Sequence, residues 1–537
     1  MKNQWHKKRR RTENSIDKPV LFDLESLIGM VPDRQTADVL LQQYLGTFET
    51  TYRVLHVPSF LKSYDAFWTS PTESTPEFVI QLLLVMATVY CVVPGGPQGY
   101  VGRSSLCREA AARWIEVCEA WLSKQSHKHI TMTVYQVHIL LWMAKNLNCI
   151  KIKREWLGSG QLVRLGVSAG MHREPTLLSK KISVFDKEMR RRLWYTMLEL
   201  DYRTACERGM PPTIQALEWD CLPPSNIHDE DFDESTQSLP RSLPLSTFTR
   251  TSCLCVMEQH VALRLSILSQ VNSIRFSMDL ETVMQYDDQI RKALDGLPSW
   301  DALPAATVAS KLSKLVLFES LLLLHRSIPI EVSPRSRNFY TRMARREAAV
   351  STLQIYAELP QVDALLFANC RDDIFRAIMS SCLDITIAAA SVLDPLQNTP
   401  AAIKLVDNAV GLLEERVKLL GQGFHSYWIS SSALSLVHSK QQPSEPLEKF
   451  AQQAADRVVS LHENSIGRQQ TTADGPPTAH TDKEAAYKSL PYNSLAQQIS
   501  KSQQLEAFDG FVPVDSFDES MFGLENFDVA DIWNLDF

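Results

Sequence analysis

The sequence predicts an all-α protein: an irregular helical superdomain between a disordered basic N-terminal leader and an acidic C-terminal tail. Three observations predict it. Glycine is scarce, at 19 of 537 residues, about half its usual frequency of roughly 7%. Strand-and-turn folds need glycine for positive-φ turns. Apolar residues recur at three- and four-residue spacings along most of the chain. Between these runs there is no convincing two-residue alternation, and no fixed period marks a regular solenoid.

Helical patterning starts near Asp33, where Leu40, Leu41, Tyr44, Leu45 and Phe48 share one face. Pro58 is expected to end regular structure within Tyr52 to Phe60, with Tyr64, Phe67 and Trp68 clamping this turn onto the next helix. Helices follow at about 77–93, 104–122, 131–148, 153–171 and 184–206. Ser183 and Asp186 have capping-box spacing for the last of these. In it Leu193, Met197, Leu200 and Thr204 form one apolar stripe, and Gly209, Pro211 and Pro212 stop it. Residues 210–246 read as a long proline-bearing loop holding Asp229, Glu230 and Asp231, of a length that is commonly functional or mobile. Helices resume at about 247–271, 278–296, 306–327, 337–357, 369–392 and 399–420, with a short one at about 445–463.

Composition divides the chain into a basic flexible leader over 1–33, a helical body over 34–440, a low-complexity linker over 441–505 and an acidic-aromatic tail over 506–537. The linker has too few large apolar residues to offset its ordering entropy. The net charge of −7 argues against a chain that coats nucleic acid, but the charge is polarised. Residues 1–12 carry six cations and no acid; residues 506–537 carry nine acids and no Lys or Arg. Ten solitary cysteines without a CxxC pair indicate a reducing compartment. No apolar core follows the basic start as in a signal peptide. The longest apolar run, Phe78 to Val93, is shorter than a membrane span and reads as a buried helix.

Lys7, Lys8, Arg9, Arg10 and Arg11 read as a nuclear localisation signal or a phosphate-contacting arm, against the alternative of an idle solvated tail. At the other end seven large aromatics lie among nine acids. Phe517, Met521 and Leu524 fall at i, i+4, i+7; Phe522, Phe527, Trp533 and Phe537 complete the set. Such interleaving suits an activation segment that enters a coactivator groove as it becomes helical, or a tail that docks on its own core. Arg190, Arg191 and Arg192 spread around a helix, so they cannot form one nucleic-acid face. An ion pair from Glu188 to Arg192 is expected, with the other arginines reaching Glu199, Asp201 or the acidic loop, and Trp194 in the core. His127, His129 and His138 lack partners at metal-ligand spacing. Gly158 and Gly160 lack the strand and third glycine of a dinucleotide site. No catalytic constellation occurs.

Four segments, in order, resemble the middle homology region of fungal-specific transcription factors. They are Tyr44 to Trp68 with its His-x-Pro-x-Phe turn at His56 to Phe60, Trp156 to Ile214 with the arginine-tryptophan helix, Trp219 to Asp229, and Leu321 to Arg326. The resemblance covers about residues 34–330. It implies a nuclear regulator of transcription with an all-α regulatory domain, often serving a metabolic gene cluster. It also implies DNA, a coactivator and a homodimer partner as interactions, and no membrane. The family's zinc cluster has no counterpart here, because the first cysteine is Cys91. The chain reads as one starting just past such a cluster, so zinc would enter only from upstream. The alternative is a coregulator that reaches DNA through a DNA-bound partner.

Overall fold

The computed structural model describes residues 24–126, 130–151, 154–178, 182–215, 218–275, 278–300, 304–326, 328, 338–389 and 400–469. Within them the chain is mostly helical. Residues 24–33, expected in the leader, include a short helix α1 (Leu24–Ile28) with Leu27 buried. Asp33 accepts from the Thr36 amide at 3.0 Å and so starts α2 (Arg34–Gly46). Pro58 starts rather than ends a helix: it occupies the first turn of α3 (Val57–Thr69). Its missing N–H is no loss there, and its fixed φ suits the helix. Phe60, Tyr64 and Phe67 fall on one face of α3, and Phe60 and Phe67 pack against Phe78.

Helix α4 (Pro76–Val89) is buried at every position from Phe78 onward, which explains its unbroken apolar run. No helix among the described residues is long and apolar enough to cross a membrane. A two-stranded hairpin, β1 (Tyr100–Val101) and β2 (Ser104–Ser105), follows. It is too short to show as alternation. Helices α5 (Leu106–Leu122), α6 (Met132–Leu147) and α7 (Glu155–Ser168) precede the 25-residue α8 (Val184–Arg208). The Ser183 hydroxyl caps α8 by accepting from the Asp186 amide at 2.9 Å, and Gly209 at φ 60° closes it. The expected single apolar stripe is corrected: α8 is buried all round from Met189 to Cys206 apart from Arg190, because helices and the following loop cover every face.

The second half comprises α9 (Ser252–Val271), α10 (Leu280–Asp295), α11 (Pro304–Arg326), α12 (Phe339–Glu358), α13 (Gln361–Cys370), α14 (Asp373–Ala389), α15 (Pro400–Leu420), α16 (Phe424–Gln441) and α17 (Leu447–Gly467). The helix expected at 369–392 corresponds to α14, and a separate, unanticipated helix, α13, precedes it. Arg371 is extended between them, at φ −135° and ψ 136°. Its guanidinium bonds Glu319 at 2.7 Å and Asp373 at 2.8 Å, which fixes the break. Helix α16, unanticipated, is serine-rich and lacks a clean apolar stripe. Helix α17 packs on α16, with Phe424 and His462 stacked at 4.1 Å. Beyond it Gln469 pairs with Gly102 through two hydrogen bonds of 2.9 Å, extending the hairpin edge. A continuous apolar core runs from Leu27 to Leu461.

Candidate functional site

Lys7, Lys8, Arg9, Arg10, Arg11, Phe517, Met521, Phe522, Leu524, Phe527, Trp533 and Phe537 lie outside the described residues, as do His127 and His129. What the structure brings together is the set of motifs in the helical body.

Their meeting point is Asp229, in a single 3-10 turn of the long loop and 1% exposed. Arg53 donates to its Oδ2, which also accepts from the Val57 amide at 3.1 Å. Arg192 donates to its Oδ1 at 2.7 Å. Its backbone carbonyl contacts His56 Nε2 at 2.9 Å. The His-x-Pro-x-Phe turn, the arginine helix and the acidic loop are thereby fastened through one residue. Burial pushes the Asp229 carboxyl up, but Arg53 and Arg192 overcome this and hold it well below the usual carboxylate range. Glu49, 3.2 Å from Arg53, accepts from the Leu55 amide at 2.9 Å. Burial still lifts its pKa to about 7. Arg192 also pairs with Glu188 at 3.0 Å, as the four-residue spacing predicted, and lies 4.8 Å over the Phe232 ring.

The neighbouring arginines also turn inward. Arg191 reaches Glu174 at 2.5 Å, and Glu174 accepts from the Leu222 amide at 3.1 Å, which anchors the loop's first leg. Arg190 donates to the Ala169 carbonyl. The expectation that these arginines reach Glu199 or Asp201 is corrected. Glu199 is held by Arg264, 3.0 Å away through Nη1. Asp201 instead accepts from the Thr213 amide at 2.7 Å and the Ser159 hydroxyl at 3.0 Å. Trp156 donates to the Pro211 carbonyl at 3.1 Å. The Trp-led helix, the aspartate and the Gly-x-Pro-Pro stop therefore form one local knot. Trp194 is fully buried.

Asn226 organises the loop that sequence reading left open. Its amide donates to the Leu243, Pro244 and Thr247 carbonyls, and its oxygen accepts from Thr249 and Ser252, both at 2.7 Å. The loop's prolines gave no sign that one asparagine would bridge its ends. In the fourth segment His325 meets Asp287 at 2.7 Å, while Tyr340 and Arg291 donate to the other Asp287 oxygen. Burial raises the Asp287 pKa, but those three hydrogen bonds outweigh it and bring the value to about 2.

Gly158 and Gly160 serve close packing. A Cβ on Gly158 would lie 3.0 Å from the Trp142 ring, and one on Gly160 2.8 Å from the Thr213 hydroxyl. All ten cysteines are free, and nine are buried. Among the described residues no three His, Cys, Asp or Glu side chains come together as a metal site, so these cysteines do not fit a zinc cluster. The arrangement fastens distant segments to one another.

Residues 41–300 match the family model described as Fungal specific transcription factor domain. The chain is similar to Transcription factor opdR of Penicillium oxalicum, 31% identical over 271 residues, covering 50% of this chain and 33% of that protein. It is similar to Transcription factor asR3 of Sarocladium schorii, 27% identical over 416 residues, covering 76% and 46%. It also resembles the Equisetin cluster transcription factor eqxF of Fusarium heterosporum, 24% identical over 445 residues, covering 77% and 61%. The chain thus spans from a third to about three fifths of the length of these relatives. No solved structure matches. The family is one of transcription factors, not enzymes. Residues 41–300 of the helical body thus carry the fungal-specific transcription factor domain.

Proposed function

We propose that the protein is a nuclear transcriptional regulator of a metabolic or secondary-metabolite gene cluster. In this reading its helical body serves as the regulatory core and residues 506–537 as the activation segment. The family domain over 41–300 is the observation that carries the proposal. The names of relatives support the gene-cluster part, since two of them are named as cluster transcription factors, for equisetin and for fusarisetin A. Lys7 to Arg11 direct nuclear import and attract phosphate. The acids around Phe517, Met521, Phe522, Leu524, Phe527, Trp533 and Phe537 keep those apolar groups solvated until a coactivator groove takes them. A metabolite or partner at the core shifts the exposure of this segment.

The test is a reporter assay in a fungal host. Residues 506–537 fused to a heterologous DNA-binding module should drive the reporter, and F517A with W533A should abolish most of that activity. A silent fusion, or one indifferent to both substitutions, would overturn the activation reading. Limited proteolysis of the full chain with and without inducing metabolites tests the gating. Equal cleavage in both conditions would remove it.

A further inference from the structure

Helix α12 carries Arg342, Arg345 and Arg346 at i, i+3 and i+4, so the three side chains share one face. That face is turned inward: Arg342 is 2% exposed and Arg345 8%. Opposite lies α14, whose Asp384 is buried. Arg342 Nε donates to one Asp384 oxygen at 2.8 Å, and Arg346 Nη1 lies 3.2 Å from the other. Both oxygens are engaged, and Arg345 is left over. Its Nη2 is buried and has no hydrogen-bond partner. Guanidinium keeps its proton inside proteins, so this donor cannot be neutralised as a lysine or carboxylate would be. Burial, with repulsion from Arg342 and only partial relief from Asp384, holds Arg345 below the usual guanidinium range.

A second orphan faces the same seam. Ser381, 4% exposed, has a buried hydroxyl without a partner. It lies one turn before Asp384 on α14. The helices run antiparallel, because Arg342 pairs with Asp384 and Tyr356 with Asp373, at 2.8 Å each. That register sets Ser381 across from Arg345. Buried donors left unpaired are costly, and two on facing turns indicate a missing acceptor.

We propose that Arg345 and Ser381 form a binding site for the oxyanion group of a small molecule, a carboxylate or a phosphate, seated between α12 and α14. Arg342 and Arg346 offset the charge of Asp384, so the incoming anion meets Arg345 without a bare carboxylate beside it. Nothing in this site depends on the chain's transcriptional role.

The full chain is titrated with inorganic phosphate and, separately, with succinate, at ionic strength held constant with sodium chloride. Calorimetry and the thermal midpoint are read together. One of the two oxyanions should bind saturably and raise the midpoint above the chloride control. R345M should weaken that binding roughly tenfold, the usual scale of one charge-assisted hydrogen bond. S381A should weaken it about threefold, the scale of a neutral one. Should R345M fail to fold, S381A and R345K decide, since R345K keeps the charge and loses the forked geometry. Binding of neither anion beyond chloride, or binding unchanged in these variants, would overturn the proposal.

Discussion

Asp229 is one carboxylate answering two buried guanidinium groups, Arg53 and Arg192, from segments more than 130 residues apart in sequence. Neither arginine is solvated, so removing the charge between them leaves two like charges facing each other. D229N should therefore cost about 3–5 kcal/mol, the scale for breaking a buried pair. Urea unfolding checks this through the midpoint at unchanged slope. The pH sign follows from the depressed Asp229 pKa. Its contribution is present above the unfolded carboxylate value, about 3.9, and is lost as pH falls through the lower folded value. Sequence reading found the inward arginines and the acidic loop as a destination, because charge spacing is visible in one dimension. It could not find Arg53 as the second partner, because nothing in the chain records which distant turn meets the loop.

At the scale of elements, close approach of helices depends on small residues. A Cβ on Gly166 would lie 2.9 Å from the Met197 sulfur and 3.3 Å from the Trp194 ring. G166A should cost about 1–3 kcal/mol as overpacking of α7 against α8, measured by thermal or urea unfolding. G170A lies where no atom falls within 4 Å of the added Cβ, but its φ of 70° strains any other residue. Its cost should come from the backbone alone. His425 at the start of α16 is 8% exposed, and burial lowers its pKa to about 4. The buried imidazole is neutral. Its stability is complete above the unfolded value, about 6.5, and is lost as pH falls toward 4, by up to about 3 kcal/mol. H425F should flatten the stability profile between those values, as urea midpoints across pH would show. Helices with caps or stops in sequence, such as α8, were legible nearly to the residue. Helix α16 was not, because buried serines interrupt its apolar spacing; Ser435, for one, donates to the Ser431 carbonyl at 2.9 Å. Helix α13 was missed for another reason: it is short and ends at a polar knot around Arg371, which the apolar spacing does not mark.

At the scale of the molecule, the all-α class followed from scarce glycine and helical spacing, and the structure has it. The three arginines of the family's central motif reach Ala169, Glu174, Glu188 and Asp229 inside the body. They are fasteners of the fold and are not free to meet a phosphate backbone. On the proposed function, the helical body regulates and does not itself read DNA. Binding of the chain to random double-stranded DNA across a salt series tests this most directly. The account predicts binding at low salt with a log–log slope of about −4.5, for roughly five phosphates met by Lys7 to Arg11, fading toward physiological salt. Deleting residues 1–12 should abolish it. Tight binding at physiological salt, with a selectable consensus that survives the deletion, would contradict the claim.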